Sequence, residues 1–288
     1  MQTLNLTNAD KSDIKWSISR FPDGEVQITL GEFSRKDSID VHCRITNAEE
    51  LFILCQVNDI LTRHAVTWNL KIYYLMSMRM DRVMDFNRPY TLSVVANILK
   101  SFSYTNLFVC EPHSNQTVRL LDCSDVEGIN YFPQHMRIND KEFYQRYTFV
   151  IPDDGAYRRY QPDLNYYKPT AVICKKKRDE ATGKLSGFEI MNPEVVTNAT
   201  KPFLITDDLC DGGGTFCGIA AEIRKIKPEA ELNIFITHMV NPKGIENLSK
   251  NFNHVYFTNS YKDWNGFKAE YGKAVPILPE NVTQIDII

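Results

Sequence analysis

Residues 207–215 read Asp-Asp-Leu-Cys-Asp-Gly-Gly-Gly-Thr and follow the apolar run Pro-Phe-Leu-Ile-Thr at 202–206. The order is that of a buried strand, paired acids, a glycine turn and the start of a helix. Ligands of open α/β sheets bind at the carboxyl ends of such strands. Gly212, Gly213 and Gly214 leave the backbone free to adopt φ > 0 and to turn its N–H groups inward. Thr215 is expected to begin the helix, adding a hydroxyl and the positive end of the helix dipole. Together these features make an anion pocket sized for a phosphate. Asp207 and Asp208, with Asp211 as a third acid, would repel a bare polyphosphate tail. They suit the vicinal hydroxyls of a sugar, which donate to charged acceptors. The segment is neither a Walker loop, since no Gly-Lys-Ser/Thr follows, nor a G-x-G-x-x-G dinucleotide turn.

Other segments carry charge to the ends of expected strands. Arg79, Asp81 and Arg82, followed by Arg88, lie in a loop between a strand and a helix, where basic side chains suit polyphosphate. Lys175, Lys176, Lys177 and Arg178 are four consecutive cations at the end of a strand, ahead of a polar stretch with two glycines. Cations in such a place would neutralise the charge that builds up in phosphoryl-type transfer. His113 follows a third strand, Asp153 opens a turn after a fourth, and Phe21, Asp23 and Glu25 occupy a Pro-Asp-Gly turn before residues 26–30. Read locally, each of these is also what a solvated loop or an ordinary turn looks like.

The elements that must position these residues alternate. Residues 40–45, 70–75 and 106–110 read as strands, with helices over 48–62 and 92–102 between them. The pattern restarts with strands at 148–151, 171–174, 202–206, 232–237 and, last, 254–258. Helices over 215–225 and 244–251 complete it. Strands alternating with helices of this length predict parallel sheets with helices on both faces. Two such units predict two similar α/β domains, residues 1–135 and 136–288, divided where Pro133 and polar residues interrupt the pattern.

Composition narrows the class. Hydrophobic residues make up 43% and charged residues 24%, enough apolar surface to form a core. The net charge of -3 lacks the basic excess expected of a nucleic-acid binder. The seven cysteines are odd in number with no C-x-x-C pair, and they read as reduced core residues. The N-terminus shows no signal-peptide pattern, and no run of about 18 apolar residues predicts a membrane span. A reducing cytoplasm is the expected compartment.

Residues 201–215 resemble the ribose-phosphate binding motif of type I phosphoribosyltransferases and ribose-phosphate pyrophosphokinases. The former consume phosphoribosyl pyrophosphate. The latter make it, by moving a pyrophosphoryl group from ATP to the 1-hydroxyl of ribose 5-phosphate. The remaining loops lean toward the pyrophosphokinases. Residues 20–28 are similar to that family's R-F-x-D-G-E-x-x-[IV] segment, which implies that Phe21, Asp23 and Glu25 bind adenine. Residues 78–89 resemble its R-Q-D-[RK]…R-x-P loop, implying that Arg79, Asp81 and Arg82 reach ATP phosphates, with Met80 in place of Gln. Residues 110–114 resemble D-[LP]-H-[AS], implying that His113 helps hold magnesium–ATP, with Glu111 where Asp is usual. Residues 151–156 resemble S-P-D-x-G-[GA], implying that Asp153 serves a second metal. The family carries a Lys and an Arg two apart on the loop that closes over the reacting phosphates. Counting from the strand selects Lys175 and Lys177, whereas K-x-R spacing selects Lys176 and Arg178. Position favours Lys175, with Lys177 and Arg178 as alternates. Residues 237–240 and 258–260 resemble the segments ending the family's last strands, so the resemblance runs from Arg20 to Ser260 in order.

The resemblance implies two phosphoribosyltransferase-like, Rossmann-like domains. ATP falls to the first and ribose 5-phosphate, through Asp207 to Thr215, to the second, with the last residues packing back on the first domain. It implies a ribose-phosphate diphosphokinase that uses Mg2+ and self-associates as a dimer or hexamer, with no nucleic-acid or membrane partner. A phosphoribosyltransferase consuming phosphoribosyl pyrophosphate, or a non-catalytic regulatory relative of the synthetase, are the rival readings.

Overall fold

Runs of β-branched and aromatic residues punctuated by capped helices set the architecture of the computed structural model, which describes residues 1–126, 128–178, 185–265 and 278–288. Two units make up the chain, residues 1–126 with 288 and residues 127–287. The polar stretch around Pro133 therefore lies inside the second unit, where Phe132 is fully buried against Phe143, Phe235 and Tyr256.

In the first unit the strands are β1 (Gln2–Asn5), β2 (Trp16–Arg20), β3 (Val26–Leu30), β4 (Ile39–Ile45), β5 (Trp68–Leu75), β6 (Leu107–Cys110) and β7 (Ser124–Val126). Its helices are α1 (Ala48–Arg63), α2 (Thr91–Leu99) and α3 (Asn115–Leu121). Five strands form a parallel sheet in the order β1-β4-β5-β6-β7. β2 and β3 form a separate antiparallel hairpin. Helix α1 starts where Asn47 accepts from the Glu50 amide and Glu50 returns a carboxylate to the Thr46 amide and hydroxyl. Leu51, Leu54, Val57 and Leu61 then bury one face on the sheet.

The second unit adds α4 (Tyr131–Met136), α5 (Asp140–Arg146), β8 (Thr148–Ile151), α6 (Asp154–Tyr167), β9 (Ala171–Arg178), β10 (Leu185–Ile190) and α7 (Pro193–Asn198). It continues with β11 (Phe203–Cys210), α8 (Gly214–Ile226), β12 (Leu232–Met239), α9 (Pro242–Asn251), β13 (His254–Thr258) and β14 (Val282–Ile285). The sheet order is β10-β9-β8-β11-β12-β13-β14, parallel except for β10 against β9. Every residue of β8 and β12 is buried, as expected of central parallel strands covered on both faces. The expected α/β class with parallel sheets flanked by helices is thus what the chain forms.

Two features differ from the local reading. Residues 254–258 are not the last strand, because β14 adds beside β13. Strand β9 runs through the four cations to Arg178, because residues 185–190 pair with it as an antiparallel arm. Among the described residues no helix is long and apolar enough to cross a membrane.

Candidate functional site

The sheet order of the second unit reverses between β8 and β11: from β8 the chain moves outward to β9 and β10, then returns to β11 on the other side. Such a reversal opens a crevice at the carboxyl ends of the two strands. Both strands end in acids. Asp153 follows β8, and Asp207 and Asp208 lie near the end of β11. Strand β11 continues past the acids to Cys210, because Leu209 and Cys210 still pair with His238 and Met239 of β12.

The glycine turn behind the acids is built for close approach. Gly213 is the cap of α8 at φ 75°, and it alone of Gly212, Gly213 and Gly214 adopts positive φ. Gly212 and Gly214 contribute something else: a Cβ on either would meet nothing within 4 Å, so both face open space. The helix begins at Gly214 rather than Thr215, and its first internal bond is from the Cys217 amide to the Gly213 carbonyl, 3.0 Å. The amides of Gly214, Thr215 and Phe216 fall in the first turn, where a helix offers them no carbonyl. Amides and dipole together favour an anion there.

Helix α9 braces this turn. Asn241 Nδ2 donates to Asp211 Oδ1 and Asn247 Nδ2 donates to the Gly212 carbonyl, each at 2.8 Å. The approach requires glycine at 244, where a Cβ would stand 2.2 Å from the Asp211 carbonyl oxygen.

A charge cluster lies at the crevice. Arg159, on α6, donates from Nη1 to Asp207 Oδ1 at 3.0 Å and pairs with Asp208 Oδ1 at 3.1 Å. Lys176 donates to Asp153 Oδ2 at 2.7 Å. Three carboxylates thus face two cations. Burial pushes the Asp207 carboxyl well above the usual carboxylate range, and the neighbouring Asp208 pushes it further, while Arg159 opposes both. Burial also acts to raise Asp153, but Lys176 and the amides of Ala156 and Gly155 outweigh it, leaving that carboxyl below its usual range. Asp153 Oδ1 caps α6 through those two amides, at 3.0 and 2.9 Å.

The cations of β9 divide by strand alternation. Lys176 turns toward Asp153. Lys175 and Lys177 take the other face, where Lys177 comes within 3.9 Å of Glu189. Arg178 ends the strand, and its side chain lies outside the described residues.

In the first unit the loop after β5 meets the loop after β6. Asp81 is buried, takes both Arg82 contacts at 2.8 and 3.1 Å, and accepts from Ser114 Oγ at 2.7 Å. The Arg82 hydrogen bond holds the Asp81 carboxyl below its usual range against the opposing effect of burial, with Ser114 and the charge of His113 acting the same way as Arg82. Arg79 is exposed at the start of this loop. Phe21, Asp23 and Glu25 occupy the tip of the β2–β3 hairpin, with the Phe21 ring half exposed. That hairpin is anchored on α1 by Arg20 to Glu49, 2.7 and 3.1 Å, and by Gln56 to Val26 and Ile28.

Among the described residues no group of three or more His, Cys, Asp or Glu is arranged to hold a metal. Magnesium keeps waters and is bound through one or two carboxylates plus substrate phosphates, so a metal carried on a nucleotide needs no such group. Asp153 Oδ2 is bound by the Lys176 ammonium at 2.7 Å, so it would serve as one point of contact once that ammonium gives way to the metal.

Local reading missed Arg159, Asn241, Gly244 and Asn247. Arg159 carried a usable signal: a basic residue on the helix after a crevice-edge strand, six residues beyond Asp153. The other three have no local signature.

No family model matches the chain. Curated relatives do. The chain is 25% identical over 231 residues to a protein of Staphylococcus aureus named ribose-phosphate pyrophosphokinase, spanning 78% of this chain and 70% of that one. It is 28% identical over 231 residues to the one from Bacillus caldolyticus, with the same coverage. It is 25% identical over 259 residues to the one from Helicobacter hepaticus, spanning 87% of this chain and 81% of the relative. The crystal structure of phosphoribosylpyrophosphate synthetase from Mycobacterium smegmatis superposes with a TM-score of 0.73 at 17% identity, covering 97% of this chain and 88% of that chain. The resemblance read from the motifs is therefore borne out along most of the sequence, and the fold is that of the synthetase.

Proposed function

We propose that this chain is a ribose-phosphate diphosphokinase, converting ATP and ribose 5-phosphate into AMP and phosphoribosyl pyrophosphate. The observation that carries the reading is the juxtaposition, at one sheet crevice, of an empty-sided glycine turn at a helix N-terminus with paired acids on the preceding strand. The turn suits the 5-phosphate, and Asp207 and Asp208 suit the ribose hydroxyls. Similarity to proteins named ribose-phosphate pyrophosphokinase supports making, rather than consuming, the product.

In this reading the first unit holds ATP. Phe21 at the hairpin tip stacks on the base, with Asp23 and Glu25 accepting from it. Arg79 and Arg82 address the phosphates and Asp81 fixes the loop. The 1-hydroxyl attacks the β-phosphorus in line, the bond from that phosphorus to the α-bridging oxygen breaks, and AMP leaves with that oxygen. The hydroxyl proton passes to solvent, with no side chain assigned as base. Cations of β9, with Lys175 favoured and Lys177 and Arg178 as alternates, neutralise charge on the transferred group. Magnesium would supply further neutralisation of phosphate charge, with His113 as the residue to help hold magnesium–ATP and Asp153 as the residue to serve a second metal. Positioning carries much of the rate. The family likeness further implies self-association as a dimer or hexamer. Seven unpaired cysteines fit a reducing cytoplasm.

Incubation with ATP, magnesium and ribose 5-phosphate should release AMP and phosphoribosyl pyrophosphate in equal amounts. Absence of AMP across a range of phosphate concentrations overturns the proposal.

A further inference from the structure

The acid pair poses a physical problem. Two adjacent carboxylates, Asp208 buried and Asp207 with its side chain 15% exposed, must both be held in a direction useful to a ligand. Their backbone does not do this. Successive residues of a strand send their side chains to opposite faces. Asp207 Oδ1 accepts the Asp208 amide at 2.9 Å, and the two side chains also hydrogen-bond to each other, a contact internal to the pair that does not fix its direction toward a ligand. Arg159 contacts both from a third element, at 3.0 and 3.1 Å to Oδ1 of each, with its side chain only 12% exposed. Arg159 also lies against the Tyr160 ring, 5.8 Å from guanidinium carbon to centroid, which restricts its rotamer.

We propose that Arg159 is a positioning residue of the sugar site, orienting Asp207 and Asp208 together so that the pair accepts from vicinal hydroxyls. The inference rests on the reading of these acids as the ribose site. Three observations converge on it. The contact uses one nitrogen for both acids, so moving Arg159 moves both. Arg159 comes from α6, which starts at the other lip of the crevice and is capped there by Asp153, so the guanidinium ties the two lips together. The groups around Asp207 are Asp208, Arg159 and Asp153, the last paired with Lys176, so Arg159 is the cation that contacts it directly. Neutralising Arg159 would leave two buried carboxylates in mutual repulsion, and they would separate or take up a proton. Either change spoils a bidentate acceptor for a diol while leaving the glycine turn, and hence phosphate binding, intact.

Calorimetric titration of ribose 5-phosphate and of inorganic phosphate, without ATP, tests the inference. In Arg159→Gln the Kd for ribose 5-phosphate should rise at least ten-fold, while the Kd for inorganic phosphate stays within two-fold of wild type. Under steady-state turnover the KM for ribose 5-phosphate should rise in the same ratio, with the KM for ATP unchanged. In an Asp207→Asn background the added effect of Arg159→Gln should fall below three-fold, because the residue acts through the acids. Unchanged ribose 5-phosphate affinity in Arg159→Gln, with wild type binding normally, overturns the role of Arg159 alone. Failure of wild type to bind ribose 5-phosphate overturns the ribose reading and the inference with it. A second measurement needs no neutral variant to fold. The arginine side-chain Nε–H resonance that is lost in Arg159→Lys should shift in wild type on adding ribose 5-phosphate. An equal shift with inorganic phosphate alone overturns the proposal.

Discussion

Gly244→Ala should damage the cradle from behind without touching any ligand. A Cβ at position 244 would lie 2.2 Å from the Asp211 carbonyl oxygen and 3.0 Å from Cys210 Sγ. The carbonyl is backbone, so no side-chain rotation relieves the clash. The N-terminal end of α9 must retreat by roughly 1 Å to reach ordinary van der Waals contact. That retreat stretches the two 2.8 Å bonds from Asn241 and Asn247 that hold the turn. Overpacking of this kind costs about 1–3 kcal/mol, and weakening two hydrogen bonds adds about 1 kcal/mol. For a unit of this size, the combined cost of about 2–4 kcal/mol lowers Tm by roughly 4–16 °C. A turn displaced by about 1 Å is also expected to weaken productive binding by up to about 100-fold. Thermal unfolding followed by circular dichroism reads the first effect, and the ribose 5-phosphate KM reads the second. A variant with unchanged Tm and unchanged KM refutes the account of α9 as a brace.

Gly214→Ala should do the reverse: nothing obstructs its Cβ and φ is not positive, so stability should hold or rise by about 0.4–1 kcal/mol. Ribose 5-phosphate binding should weaken nonetheless, and unaltered calorimetric affinity would mean that the ligand does not occupy that space. Lys175→Ala should cut kcat about 100-fold with the ribose 5-phosphate KM nearly constant, measured as AMP release. Loss only in Lys176→Ala moves the role to the face that meets Asp153, and loss in neither rules out Lys175 and Lys176 and leaves Lys177 and Arg178, whose alanine variants then decide whether β9 acts in catalysis. Asp207→Asn should stabilise the fold in a pH-dependent way. Because burial and Asp208 raise the Asp207 carboxyl in the folded state, its ionisation subtracts stability. That subtraction is absent below the unfolded carboxyl range, about pH 4, and grows as pH rises through the folded value. The variant's Tm should therefore exceed that of wild type at neutral pH and converge with it near pH 4. A constant difference across the range contradicts the cause assigned to the shift.

What the sequence determined by itself is what lies contiguous along it. The cradle is one β–α junction, so an apolar run, acids, glycines and a helix start spell it out within residues 202–215. Helix α1 and strands β4 and β5 were legible for the same reason, since periodic burial and caps are local. The division of labour among the three glycines was not legible. One positive φ suffices to cap α8, and the other two serve the space outside the turn. Nor was the length of β9 and β11, since how far a strand runs depends on partners elsewhere, β10 for the first and β12 for the second.

Tertiary structure alone decided which charges meet. Arg159 reaches Asp207 across 48 residues of chain, Lys176 reaches Asp153 across 23, and Asn241 and Asn247 reach the turn across 30 and 35. The first pairing follows from the reversal of strand order between β8 and β11, which puts the helix after β8 beside the acids of β11, and the others follow from β9 lying beside β8 and β12 beside β11. Sheet order is settled by which apolar faces bury best together over the whole unit, a sum over contacts distant in the chain. A motif confined to fourteen residues can therefore announce a sugar-phosphate site, but not the arginine that aims it.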